Sequence, residues 1–303
     1  VAVLEMRLRA QTEAEERART LRAIAAVEDE GRSRPIEAEA ALLRALEDTP
    51  DDASLHAEIE RLAERNGYAR YADALAARAG AIFDATVAKD LFLRLGKVAE
   101  EKLKDDRRSV EAYAKAVEHA GDTPELLEAL DRLYGRLGDT KALAEVLERR
   151  VPLVTNDREQ ADLLHRLAVI QIESFNDKPQ GLATLRQALE RSPDPAAAGK
   201  ALEALTDTKD LFEEAAEALE GVYKIRNDHA SLARLYEKRI QYAGAPSDRV
   251  RMRLELARVL EERSSDPKAA QAALEAAFGD DPSDADVLAE IERLAPITNG
   301  WGG

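Results

Sequence analysis

The hydrophobic pattern of the chain repeats itself. Ala38, Leu42, Ala45 and Pro50 are spaced four, three and five residues apart, and the same spacing returns three times. The further copies are Ser109, Tyr113, Ala116 and Gly121; Gly181, Leu185, Ala188 and Pro193; and Ala270, Leu274, Ala277 and Pro282. Each reads small, large, small, turn. An aliphatic-small pair precedes every copy at a constant offset of thirteen residues: Ile24-Ala25, Leu95-Gly96, Leu167-Ala168 and Leu256-Ala257. Spacings of three and four place side chains on one helix face, where small residues admit a neighbouring helix and large ones fill the gap. The closing Pro or Gly ends the second helix. Every copy therefore predicts one helical hairpin. Pro35, Pro124 and Pro267 sit at expected first helical positions behind Arg34, Thr123 and Asp266, and Asp157, Asp228 and Ser247 are expected helix caps.

This order of an aliphatic-small pair on a first helix, then small, large, small and Pro on a second, resembles the tetratricopeptide (TPR) repeat. The inter-helix turn is about one residue longer than the usual pattern, and the large aromatic expected early in the first helix is absent, as Arg22 and His165 show. The copies lie 71, 72 and 89 residues apart, about twice a TPR length, so each unit is expected to hold a second, diverged hairpin. The segments "EIERLAERNG" (Glu58 to Gly67), "ALDRLYGRLGD" (Ala129 to Asp139) and "EIERLAPITNG" (Glu290 to Gly300) occupy that phase. The resemblance implies a single continuous array over residues 1–303, a right-handed α-solenoid of roughly seventeen helices. Its units fall at about 1–74, 75–146, 147–235 and 236–303.

The interval of 89 holds roughly 17 extra residues. "VYKIRNDHASLARLYEKR" (Val222 to Arg239) aligns without a gap to "LYGRLGDTKALAEVLERR" (Leu133 to Arg150), so the extra material precedes it, and the insertion is placed near residues 206–221. Both ends fall inside the pattern. "VLEMR" (Val3 to Arg7) matches "VLERR" (Val146 to Arg150), and "NGWGG" matches the turn "RNGYA", making Trp301 the first apolar residue of an interrupted helix. The expectation is a fragment of a longer protein whose uncovered ends associate end to end.

Composition narrows the function. Aromatic residues make up only 4%, while Ala, Leu, Arg and Glu dominate, a mixture of strong helix formers. The net charge of −16 is spread along the chain and repels phosphate backbones, which argues against nucleic acid. No apolar run approaches the roughly 18 to 20 residues of a membrane span. The absence of cysteine excludes disulfides and thiolate metal sites and fits a reducing compartment such as the cytoplasm, with the periplasm left open.

No phosphate-binding glycine loop, dinucleotide fingerprint or paired-histidine zinc helix is present. "HAE" at His56 lacks the downstream cysteines of a deaminase zinc site. His56, His119, His165 and His229 lie at least 46 residues apart and read as separate exposed or half-buried side chains. Glu60, Asp131, Glu203 and Glu292 stand where the TPR pattern places a small residue, and pairing with Arg61, Arg132, Lys200 and Arg293 on their own helices is expected to account for them. No catalytic, cofactor or metal site is expected, and the chain reads as a non-catalytic adaptor rather than an enzyme.

In proteins similar to TPR arrays, first helices line a concave groove that holds a partner segment. The resemblance places Arg19, Arg22 and Asp29, Asp90, Lys97 and Glu100, Asp162 and His165, and Arg251, Arg258 and Glu261 in such a groove. Of these, Arg19, Arg22, Lys97, His165, Arg251 and Arg258 are the expected contacts to a protein or peptide partner. The mixed signs lack the dense basic clamp of TPR domains that bind C-terminal carboxylates. A second class of function stays open: docking of a folded switch protein such as a small GTPase, or sensing of a small ligand near 206–221.

Overall fold

Residues rich in Ala, Leu, Glu and Arg at helical spacing give a chain whose regular structure is helical throughout the described part. The computed structural model describes residues 1–192, 196–263 and 266–298, with seventeen α-helices and no strand among them. Two compact units divide the chain, Val1–Val154 and Thr155–Gly303. The first contains α1 (Ala2–Ala10), α2 (Ala14–Ala26), α3 (Pro35–Asp48), α4 (Ala53–Asn66), α5 (Ala69–Ala81), α6 (Ala85–Lys97), α7 (Asp106–Ala120), α8 (Pro124–Leu137) and α9 (Thr140–Arg150). The second contains α10 (Asp157–Glu173), α11 (Lys178–Arg191), α12 (Ala196–Leu205), α13 (Phe212–Arg226), α14 (His229–Tyr242), α15 (Pro246–Arg258), α16 (Pro267–Asp280) and α17 (Ala285–Thr298). Pro193 and Trp301 lie outside the described residues.

The four copies of the pattern are the hairpins α2/α3, α6/α7, α10/α11 and α15/α16. Every aliphatic-small pair is buried, and so are the small, large and small positions of each second helix. At the small pair the two backbones come close. Ser109 Oγ donates to the Gly96 carbonyl at 2.8 Å, thirteen residues away. A Cβ built on Gly96 would lie 2.5 Å from the Tyr113 ring, and one on Gly181 would overlap Ile172 and sit 3.2 Å from the Ala168 carbonyl oxygen. The sizes compensate across the copies. Ala25, Ala168 and Ala257 meet a second helix carrying Leu42, Leu185 or Leu274, whereas the single glycine, Gly96, faces the single tyrosine, Tyr113.

The long turn inside each hairpin has a common form. The first helices α2, α6 and α15 widen into a looser turn over Val27–Gly31, Val98–Leu103 and Val259–Arg263. A left-handed residue follows in three copies: Ser33, Lys104 and Asn176, with φ of 54°, 55° and 54°. The next amide then reaches six residues back. Arg34 bonds to Glu28, Asp105 to Ala99, Asp177 to Gln171 and Asp266 to Leu260, at 2.7, 2.9, 2.7 and 2.9 Å. Three of these four residues also cap the second helix, since Asp105, Asp177 and Asp266 accept from the amides of Arg108, Gln180 and Ala269. Arg34, with no side-chain acceptor, does not.

Pro35, Pro124 and Pro267 occupy first-turn positions as expected, and Asp228 caps α14. Two cap expectations need correction. Asn156 caps α10 through the Glu159 amide at 3.0 Å, because the helix begins one residue earlier than an Asp157 cap requires. Ser247 lies inside α15, where Pro246 already supplies a helical φ and Ala245 holds the cap position.

The second hairpins are α4/α5, α8/α9 and α13/α14. In α8/α9 and α13/α14 equivalent residues pair 19 positions apart: Arg150 donates to Asp131 at 2.5 Å and Arg239 to Glu220 at 2.5 Å. Gly138 and Asn227 both take the left-handed conformation at φ 70° and 54°. Asp139 and Asp228 cap the helices that follow. Thus α13 is the counterpart of α8, and the additional helix is α12 at 196–205, ahead of residues 206–221. It packs on α11 and α13.

Gly96→Ala should destabilise the protein by about 1–3 kcal/mol in urea unfolding, because the new methyl overlaps the buried Tyr113 ring. Adding Tyr113→Leu, which recreates the Ala/Leu combination of the other copies, should recover part of the loss. Equal stability of Gly96→Ala and the parent would contradict the close packing at this level.

Candidate interaction surface

Charges on the first helices of successive hairpins join them into one layer within the first unit. Arg22 on α2 donates to Asp52 at 3.0 Å and to Glu58 on α4. Arg94 on α6 donates to Glu60 on α4 at 2.7 Å, and Lys102 to Glu64 at 3.1 Å. A recurring clamp is superposed on these pairs. Asp29 accepts from Arg61 and Arg65 at 2.9 and 3.0 Å, and Glu100 accepts from Arg132 and Arg136 at 2.8 and 2.9 Å. In the second unit Glu261 accepts from Arg293 at 2.8 Å. In all three the acid stands four residues after the small residue of the pair and the first arginine 32 residues further on. The third copy breaks the rule: Ile172 takes the acid's place and packs against Gly181, and the residues 32 and 36 further on are Ala204 and Thr208.

The clamp acids are held ionised. The hydrogen bond from Arg61, and then that from Arg65, keeps the Asp29 carboxyl below its ordinary range. Burial works against ionisation of Glu100, whose side chain is 12% exposed, yet the bonds from Arg132 and Arg136 still hold it low. The hydrogen bond from Arg293 lowers Glu261.

This overturns the expected local pairing of Glu60, Asp131, Glu203 and Glu292. Consecutive side chains on a helix point in different directions. Arg61, Arg132 and Arg293 accordingly reach back to the preceding hairpin, although Arg293 also bonds Glu290 one turn before it. Glu60 and Asp131 receive Arg94 and Arg150 instead, and Glu203 accepts the Tyr223 hydroxyl at 2.6 Å. The signal was present in the sequence as the constant 32-residue separation.

The histidines stand on four different helices, α4, α7, α10 and α14, and among the described residues no group of three His, Asp or Glu side chains could hold a metal ion. His56 departs from expectation because it is buried. Its Nε2 faces the Pro50 carbonyl at 2.8 Å and its Nδ1 the Tyr71 hydroxyl at 2.7 Å. A carbonyl only accepts, so Nε2 carries the proton and Nδ1 accepts from Tyr71. Burial lowers the imidazole pKa and keeps the ring neutral. His119 stacks on Phe92.

The expected partner contacts fall into different situations. Arg19 is exposed on α2 and meets Glu15 at 3.5 Å. Arg22 is committed to α4. His165 is half-buried on α10. Arg251 and Arg258 are exposed on α15 and meet Asp248 and Glu255 of their own helix at 3.4 and 3.0 Å. Lys97 differs: it is exposed at the end of α6 and makes no hydrogen bond or ion pair among the described residues. Two depressions flank it, one of about 340 Å³ beside α4 and one of about 570 Å³ beside α8, and both include Leu93 and Lys97. Leu93, one turn before Lys97, was not singled out from the sequence because a half-buried leucine reads as core. Arg251 borders a third depression, of about 520 Å³, together with Glu220, Tyr236 and Arg239. No described helix is long and apolar enough to cross a membrane.

No protein-family profile matches the chain, and no curated protein matches it in sequence. Solved structures similar to it include MamA, at 14% identity over 67% of this chain and 95% of that one, with a TM-score of 0.36. A thermophilic TPR protein of Thermus thermophilus is 17% identical over 69% of this chain and 99% of that one, with a TM-score of 0.27. The TPR2AB domain of yeast Sti1, in its complex with pHSP90, is 18% identical over 92% and 97%, with a TM-score of 0.31.

Glu100→Gln removes the negative member of a clamp and should cost about 1.5–3 kcal/mol at neutral pH, the usual range for hydrogen bonds to charged groups. The folded-state pKa of Glu100 is depressed, so its contribution is present above the unfolded value near 4.3 and lost as pH falls through the folded value. The gap between parent and variant, followed by urea unfolding against pH, should therefore close below about pH 4. A gap that widens on acidification would contradict the clamp.

Proposed function

We propose that the chain is a non-catalytic adaptor and that its first unit holds a protein segment along α6, between α4 and α8. One observation carries this reading: two adjoining depressions share an apolar floor residue, Leu93, and a cation, Lys97, that no internal acid neutralises. A segment presenting an aliphatic side chain to Leu93 and a carboxylate to Lys97 fits that chemistry, since a desolvated charge pair beside apolar contact gives both orientation and affinity. The net charge of −16 favours a protein ligand over a phosphate backbone. Arg19 is proposed as an outer contact in the first unit, and His165, Arg251 and Arg258 as partner contacts of the second unit taken by itself. Arg22 acts by holding α2 to α4.

A second reading rests on the depression of about 350 Å³ where α12, α13 and α14 meet, lined by Glu203, Thr206, Tyr223, Ser231, Arg234 and Lys238. Docking of a folded switch protein such as a small GTPase, or of a small ligand near 206–221, would use this place.

Peptides selected from a random display library on the intact protein test the first reading. The expected result is enrichment of an acidic residue next to an aliphatic one, with affinity falling at least about tenfold on Lys97→Glu, the loss of a charge-assisted contact. Removing residues 194–210 takes out α12 and returns the repeat interval from 89 to 72, leaving α13 to pack as α8 does. That deletion should fold and keep peptide binding. Peptides insensitive to Lys97→Glu but lost on the deletion would favour the second reading.

A further inference from the structure

Between the second helices α3 and α5 lies an apolar groove of about 230 Å³, formed by Leu43, Leu46, Ala74, Ala77 and Ala81, with Glu47 and Arg78 at its rim. Three departures from the repeat meet here. The position equivalent to Ala77 carries Arg149 on α9 and Lys238 on α14, so the groove is specific to α5. The base equivalent to Arg78 is paired on both other helices, Arg150 with Asp131 and Arg239 with Glu220. Arg78 has no carboxylate partner among the described residues, and its Nε is buried without a hydrogen bond. Finally, the residue before the first-helix cap is Thr12, Thr155 or Gly244 in the other copies but Phe83 here, and that ring is 104% exposed. Asp84 follows it. This carboxylate caps α6 with Oδ1 alone, which accepts from Thr86 and Val87, and Oδ2 has no partner.

We infer that the groove and the Phe83-Asp84 pair belong to one self-complementary surface, through which two copies of the chain associate about a two-fold axis. Phe83 of each copy fills the other's groove against Leu43, Leu46 and Ala77, and the free oxygen of Asp84 meets the other copy's Arg78. An aromatic knob followed by a carboxylate matches an apolar hole with an unpaired guanidinium. Phe83 stands two residues beyond Ala81 of the groove, so knob and hole lie on one patch, as an isologous contact requires. The surface lies on second helices and is independent of the α6 depressions.

Sedimentation velocity of the full chain over a concentration series tests this, with circular dichroism confirming that each variant stays folded. The expected result is a reversible monomer-dimer equilibrium that both Phe83→Thr and Ala77→Glu weaken roughly 10- to 100-fold, as loss of a buried aromatic or occupation of its hole should. Phe83→Thr borrows the residue type of the equivalent Thr155, and Ala77→Glu puts a charge where α9 and α14 carry Arg149 and Lys238. Mixing them should restore association, because Ala77→Glu still offers an intact Phe83 and Phe83→Thr an intact groove. A monomer at every concentration, a dimer indifferent to either substitution, or a mixture no more associated than its components would each overturn the inference.

Discussion

The whole arrangement depends on how closely the two helices of each hairpin approach at one level. Where Ser109 bonds the Gly96 carbonyl, and where a Cβ on Gly181 would crowd the Ala168 carbonyl oxygen, the backbones leave room only for glycine, alanine or serine. Small residues recur at this level in all four hairpins, and the leucines and the tyrosine one turn further along fill the wedge that opens beyond it. Dispersion and burial follow from that approach, since a gap of even a fraction of an ångström forfeits much of the contact. The wide turn with its left-handed residue then becomes necessary, because the chain must reverse between two backbones that nearly touch.

Once the hairpins are closed, their neighbours are held by something more selective than apolar area. Each clamp acid sits four residues beyond the small residue and receives arginines from the hairpin that follows. An acid enclosed in this way needs its partner, because a buried unpaired charge costs several kcal/mol. The hairpin that accepts the additional helix α12 has Ile172 instead of an acid, and a clamp there would have lacked an arginine. Loss of the clamp and gain of the helix fall on the same hairpin. Lys97 and Arg78 are among the cations of the described residues that this network does not use, and both border depressions.

Apolar periodicity made the hairpins legible, because burial acts on residue type at fixed spacing and every small and large position assigned from the pattern is buried. Charge partners were less legible. With 60 acids and 44 bases, the pairing depends on which hairpin stacks on which, so Glu60 was matched to Arg61 when Arg94 holds it. His56 escaped for a related reason: its burial follows from Tyr71 on the next helix and from the Pro50 carbonyl, neither of which a helical period reveals. Of the six expected groove residues, Lys97 and Arg251 border depressions, and helical phase had no means of separating Lys97 from Arg22, which is tied to Asp52 and Glu58.

The chain contains no cysteine, which opens a direct measurement of the close approach. Paired cysteines at 25 and 38, or at 257 and 270, replace small buried residues thirteen positions apart. Their Cα atoms should lie within the roughly 4.4–6.8 Å that a disulfide spans. Mild oxidation followed by mass measurement of blocked thiols should show an intramolecular disulfide in both variants, and free thiols in a control pairing 25 with the exposed Ala40. Thiols that stay free at 25/38 and 257/270 in the folded protein would contradict the small-residue contact from which the rest of the structure is built.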